Sequence, residues 1–269
     1  MKDKKERKKT AFTVCASLTA LLLVLSCLYV LRALDSYALS EGLNEGIEKE
    51  ALAEGIPDDN EMIKVDHDKL LDINDDYIGW LIIPGTDISY PVCYSQDHEK
   101  YLYTAFGGED SREGTLFTDC RCRKDLTGWN TIIYGHNMKN GSMFGGLKNY
   151  LNEEYFRKYR TLFIYTPEKI HEYRIYAVYH TDKDSDTYQT DFDPMSFLLW
   201  TKKVREDSLF KTDQEPDIFD NMLTLSTCRG GRRRLVVIFR EVRMDELFDT
   251  LIKPRDTNEN EYLYSGMPL

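Results

Sequence analysis

Between residues 79 and 242 the chain carries eight short apolar runs, each bounded by turn residues, and this pattern constrains the fold more than any other feature. The runs are Gly79–Gly85, Ile88–Val92, Thr115–Thr118, Asn130–Tyr134, Leu162–Thr166, Glu172–His180, Met222–Cys228 and Leu235–Val242. They are rich in β-branched and aromatic residues, which suit a half-buried pleated surface. Many short strands with turn signals between them predict a closed barrel or a sandwich. Helices interrupt the series. Ser142 is a candidate N-cap for a helix with Met143, Phe144, Leu147 and Leu151 on one face. Asn152 is a candidate cap for the following EEYFRKY. Asp193-Pro194 reads as a helix start with proline at the first position. That helix, with Phe197, Leu198, Val204 and Leu209 expected to face the core, lies in the long crossover before Met222–Cys228. The fold class is therefore mainly β with peripheral helices (α+β).

The N-terminus is different in kind. Ala11 to Leu31 is free of charge over 21 residues, about 30 Å as a helix and enough to span a bilayer core. Residues 1–9 carry six basic and two acidic side chains, a net +4 that leaves −15 on the rest of a chain of net charge −11. Basic residues flanking one end keep that end in the cytoplasm, which puts the body outside. A cleaved signal peptide would have a shorter apolar core and a small-residue cleavage site; here Arg32 follows directly. The expected organisation is a cytoplasmic tail (1–10), a transmembrane signal anchor (11–31), a helical spacer (32–65), a catalytic body (66–243) and a C-terminal extension (244–269). Within the extension, Met244–Ile252 reads as a short amphipathic helix. The acidic body lacks the basic footprint of nucleic-acid binding.

Six cysteines are present and do not form a small secreted disulfide framework. Cys228 closes an apolar run and precedes Arg229-Gly230-Gly231, so a substrate can reach a thiol there. Arg229, Arg232, Arg233 and Arg234 follow closely, and nearby cations favour thiolate. The same residue type is also among the commonest buried core fillers, so the cysteine alone decides nothing. His136 ends a strand and opens the glycine-rich segment YGHNMKNGSMFGG, a place where rigid scaffolds display catalytic groups. It reads equally as a hydrogen-bonded loop residue. His67 and His98 lie in polar segments and read as solvated. His171 and His180 bracket one run at an odd spacing and fall on opposite faces. If the last two runs pair across a tight hairpin, Arg234 returns near the thiol, where it can steady an oxyanion; Arg232 and Arg233 compete for that place.

Metal and cofactor signals are weak, and none is expected. Cys120-x-Cys122 lacks a second pair at zinc spacing. The acidic Asp182–Asp186 segment lacks the glycine and terminal glutamate of a calcium loop, and no phosphate-cradling loop is present.

Taken together these segments resemble the sortase family. Thr224-Leu225-Ser226-Thr227-Cys228 is similar to the TLxTC signature, and Tyr134-Gly135-His136-Asn137-Met138 to the catalytic-histidine segment. Arg234 before Leu235-Val236-Val237 matches the catalytic arginine. The match runs from GWLIIPGT (Gly79–Thr86) to Phe239. The variant GHNMKNGSMFGGLKNY, with DSLF (Asp207–Phe210), is similar to class B. The resemblance implies an eight-stranded sortase barrel with N-terminal helices packed outside. It implies a cysteine transpeptidase with catalytic Cys228, His136 and Arg234 (Arg233 as alternative) and with Thr227, Ser226 and Asn137 touching substrate. The implied partners are secreted proteins bearing a C-terminal sorting motif and the amine of a cell-wall precursor, or of a pilin, in a Gram-positive bacterium. A thiol endopeptidase and a non-catalytic wall-binding module are the alternatives. The sequence does not fix the oligomeric state.

Overall fold

The structure is a computed structural model that describes residues 18–31, 42, 44–49, 51–52, 63–228 and 231–243. The C-terminal extension, and residues 11–17 of the expected membrane segment, lie outside them. Residues 18–31 are helical, with Leu18, Leu21, Leu22 and Leu25 exposed. Among the described residues no helix is long and apolar enough to cross a membrane.

Eight strands close into a barrel. They are β1 (Tyr77–Ile82), β2 (Ser89–Tyr94), β3 (Leu116–Thr118), β4 (Asn130–Gly135), β5 (Thr161–Tyr165), β6 (Ile170–Asp182), β7 (Met222–Cys228) and β8 (Arg233–Glu241). Their order around the barrel is β1-β2-β3-β4-β7-β8-β6-β5, with β5 pairing back to β1. Every predicted run is a strand, within a few residues at each end. Two pairings are parallel, β2 with β3 and β4 with β7; the rest are antiparallel.

Side-chain alternation sorts the strands into an inside and an outside. Leu81, Val92, Leu116, Ile133, Ile164, Ile175, Leu225 and Val237 meet in the interior cluster, which draws on all eight strands. A 3₁₀ helix, Phe144–Leu151, adds Phe144, Leu147 and Tyr150 to this cluster. Between Ile175 and Ala177 the register of β6 against β8 slips, so Ile175 and Val178 both point inward while Tyr176 and Ala177 pack outside. Such bulges re-aim a strand at a barrel wall.

The outer face is covered in two places. Helix α1 (His67–Ile73) brings Leu70 onto Trp80, Ile82, Cys93 and Phe117, together with Ala51 and Leu52 of the preceding segment. Helix α2 (Glu153–Lys158) is capped by Asn152 as expected. Helix α3 (Pro194–Asp207) has a capping box, with Asp193 accepting from Ser196 N and Ser196 bonded back to Asp193. It lays Phe197, Trp200 and Val204 over Ile132, Met222 and Ile238.

Three local expectations are corrected. Ser142 does not cap the segment after it, because its hydroxyl is taken by Glu113 and Asn140 and Met143 occupies the cap position. That segment is a 3₁₀ rather than an α-helix. Leu209 is exposed, since α3 has ended two residues earlier, at Asp207, with Ser208 as its C-cap. His67 and His98 are not simply solvated: His67 Nδ1 lies 3.0 Å from the Tyr77 hydroxyl and His98 Nε2 lies 2.8 Å from Cys120 Sγ.

Candidate active site

Strand register alone brings three reactive groups into a row. β7 lies between β4 and β8. Cys228, the last residue of β7, pairs directly with Arg234 on β8. On the other side Gly135 pairs with Thr227, so His136 follows β4 at the level of Cys228. Neighbouring strands are about 4.8 Å apart, and three adjacent strands therefore present imidazole, thiol and guanidinium side by side. Alternation puts all three on the outer face: Ile133, Leu225, Leu235 and Val237 turn inward, leaving Tyr134, His136, Ser226, Cys228 and Arg234 outward.

These groups line one cleft of about 230 Å³, with Leu102, Phe117 and Tyr134 among its apolar walls and His98 on its rim. Cys228 is exposed. The imidazole of His136 is held in place by its neighbours. Its Nε2 sits 2.6 Å from the Leu102 carbonyl, which can only accept, so Nε2 carries a proton and Nδ1 is the nitrogen left for exchange. The Tyr103 ring lies beside it at 5.7 Å. Behind it, a Cβ on Gly135 would come within 2.5 Å of Leu116 and 2.7 Å of the Phe144 ring, so only glycine lets the strand end pack this closely.

Asn137 ties the ends of β4 and β7 together by donating from Nδ2 to the Cys228 carbonyl at 2.7 Å. The rest of its loop is fixed too. Met143 takes a positive φ of 52° and its amide donates to the Tyr90 hydroxyl at 2.9 Å. Arg234 Nη1 donates to the carbonyls of Gly231 and Arg233 at 3.0 and 3.1 Å, which braces the guanidinium against its own turn. Arg233 stands one residue out of step with Cys228, so its side chain alternates to the other face of β8 and does not line the cleft. Arg232 is engaged in ion pairs with Asp182 and Asp184. Of the three competing arginines, the structure brings Arg234 to the thiol.

Thr227 and Ser226 sit in the cleft floor. The Thr227 hydroxyl is buried and has no hydrogen-bond partner among the described residues. The Ser226 hydroxyl is 2.8 Å from that of Tyr188, whose phenol is pushed up to about 12, chiefly by burial. The wall continues through Tyr134, which stacks on Tyr188 and donates to Asp119 at 3.0 Å. Asp119 is gripped by Arg121 through two bonds of 2.8 Å. Sequence reasoning missed this aromatic and carboxylate wall, because Tyr188, Asp119 and Tyr134 come from three separated segments.

Comparison with known proteins fits this geometry. The sortase domain family model matches residues 81–242. Sortase B of Listeria monocytogenes is 36% identical over 157 residues, 58% of this chain and 64% of its own length; the match thus spans less than two thirds of that relative. Sortase B of Bacillus anthracis superposes with a TM-score of 0.69 at 32% identity, covering 78% of this chain and 99% of that one. Sortase B of Clostridium perfringens gives 0.62 at 32% identity, covering 65% and 99%. A closed eight-stranded barrel with a Cys-His-Arg row at one end is the architecture of a sortase. This chain belongs to the sortase family, and its relatives are of class B.

Proposed function

We propose that this protein is a membrane-anchored cysteine transpeptidase that cleaves a C-terminal sorting motif of secreted proteins after threonine and joins them to an amine of the cell-wall precursor. The observation that carries the reading is the register of β4, β7 and β8, which sets His136, Cys228 and Arg234 in one row on an exposed cleft.

The steps follow from the groups present. Cys228 Sγ attacks the threonine carbonyl, and negative charge develops on its oxygen. Arg234, whose Nε and Nη2 have no partner among the described residues, stabilises that oxygen. The C–N bond breaks as protonated His136 gives its proton to the leaving amine. A thioester remains on Cys228, which divides one hard amide exchange into two easier reactions. The incoming amine attacks the thioester, the C–S bond breaks, His136 takes the one proton that the amine gives up, and Cys228 is released as thiolate beside the protonated imidazole. Thr227 and Ser226 line the cleft beside the thiol, where the substrate backbone lies, while Asn137 holds the Cys228 carbonyl from outside that lining. Residues 11–31 anchor the chain with its body outside the membrane.

The test is incubation of the full chain with a library of threonine-containing sorting peptides, with and without an amine acceptor, read by mass spectrometry. A Cys228 acyl adduct and an amine-linked product are expected. Cleavage that yields only acid in the presence of amine would replace transpeptidase by thiol endopeptidase. A wild-type protein that neither cleaves any of the peptides nor forms an acyl adduct on Cys228 would leave a wall-binding module.

A further inference from the structure

The Cys120-x-Cys122 pair is split by the fold. Cys122 is buried on the covered outer face of the barrel, against Ile132 and Met222; its thiol donates to the Asn130 carbonyl, and burial pushes it up to about 11. Cys93 is buried as well, with its thiol driven far above the ordinary value, chiefly by burial. Neither thiol is open to a reagent in solution. Cys120 is different. It is half-buried at the surface, and its Sγ lies 2.8 Å from Nε2 of the exposed His98. His98 also lines the catalytic cleft, so this second Cys-His pair stands at the cleft rim, separate from the Cys228 row.

Asp119 lies close enough to His98 and Cys120 for all three to meet around a cation. Its oxygens, however, are already committed. Oδ1 accepts from the Arg121 amide and Nε, and Oδ2 from Arg121 Nη2 and Tyr134. A carboxylate offers about four lone-pair positions, and here each is used. A metal would have to displace a bidentate arginine from a carboxylate that is only 3% exposed. Among the described residues the thiol and the imidazole are engaged only with each other.

We propose that Cys120, with His98 as its base, is a second reactive thiol of this protein and a site of modification by low-molecular-weight disulfides at the rim of the catalytic cleft. The imidazole takes the thiol proton, and the resulting thiolate attacks one sulfur of a disulfide RSSR. The S–S bond of RSSR breaks as the Cys120–SR bond forms, and RS⁻ leaves with the proton held on His98. The disulfide is the oxidant, so no other reactant is required. The adduct lies against the part of the cleft wall that His98 supplies.

The test uses the full chain carrying Cys228→Ala, so that the catalytic thiol is absent, treated with 5,5′-dithiobis(2-nitrobenzoate) and mapped by peptide mass spectrometry. Cys120 is expected to be the fastest-reacting thiol, at least tenfold faster than in a Cys228→Ala/His98→Ala protein. A rate on Cys120 that His98→Ala leaves unchanged would overturn the proposal, as would labelling confined to Cys27. Protection of Cys120 by equimolar zinc chloride, lost on Asp119→Asn, would also overturn it by identifying a metal site.

Discussion

Cys228 and Arg234 are directly opposed residues of the β7–β8 hairpin, so their side chains rise on the same face of the sheet. Arg233 is displaced by one residue and therefore faces away. Arg234→Ala is expected to lower kcat/KM about 10²–10³-fold, the size of losing one oxyanion donor. Arg233→Ala should change it less than about threefold, as distant surface changes do. Steady-state cleavage of a sorting peptide measures both, and comparable losses in the two variants would reverse the assignment. Arg234→Lys should recover little, because a point charge does not reproduce the planar fork.

The Gly135 close approach gives a prediction that needs no substrate knowledge. In Gly135→Ala the new Cβ meets Leu116 at 2.5 Å and Phe144 at 2.7 Å. Overpacking of this kind costs about 1–3 kcal/mol. Because His136 is the next residue, activity should fall further than stability alone explains. Thermal unfolding and kcat measured on the same preparation separate the two effects.

Asn137 is predicted to act by positioning. Its amide holds the Cys228 carbonyl at 2.7 Å, and a hydrogen bond of this sort is worth about 0.5–1.5 kcal/mol. Asn137→Ala should reduce kcat more than it raises KM, because it loosens the nucleophile's backbone. Asn137→Asp, which cannot donate to a carbonyl, should resemble it. Full activity in Asn137→Asp would show that the contact is incidental.

Much of this was legible in the sequence because the chemistry lies at strand ends. The run MLTLSTC alternates strictly enough to place Leu223 and Leu225 inside and Ser226 and Cys228 outside. The tyrosine-rich runs read as strands for the same reason. What the sequence hid are contacts between distant segments. Ser142 looks like a helix cap until Glu113, 29 residues earlier, is seen to claim its hydroxyl. His98 looks solvated until Cys120, 22 residues later, comes within 2.8 Å. Arg233 and Arg234 differ only in hairpin register, which pairing decides and composition does not.

The Asp119–Arg121 clamp makes the cleft wall sensitive to acid. Burial by itself would raise the Asp119 carboxyl, but the bonds from Arg121 and Tyr134 outweigh it and hold the group below its ordinary value. A carboxyl depressed in the folded state stabilises the fold above the unfolded-state pKa, and that contribution is lost as pH falls through the folded value. The wild-type protein should therefore keep its stability down to about pH 4 and lose it below. Arg121→Leu removes the compensation while leaving the carboxylate buried. Asp119 is buried but Arg121 is 52% exposed, so leaving the carboxylate without it costs on the order of 1–3 kcal/mol. With burial no longer outweighed, the loss should be largest at neutral pH and shrink as the carboxyl is protonated, so that Tm falls less steeply with acid than in the wild type. The double variant Asp119→Asn/Arg121→Leu, with no charge left to bury, should regain much of the loss and flatten that limb. Tm profiles from pH 3 to pH 7 decide the matter: if the wild type and the double variant have the same acid limb, the clamp does not set it.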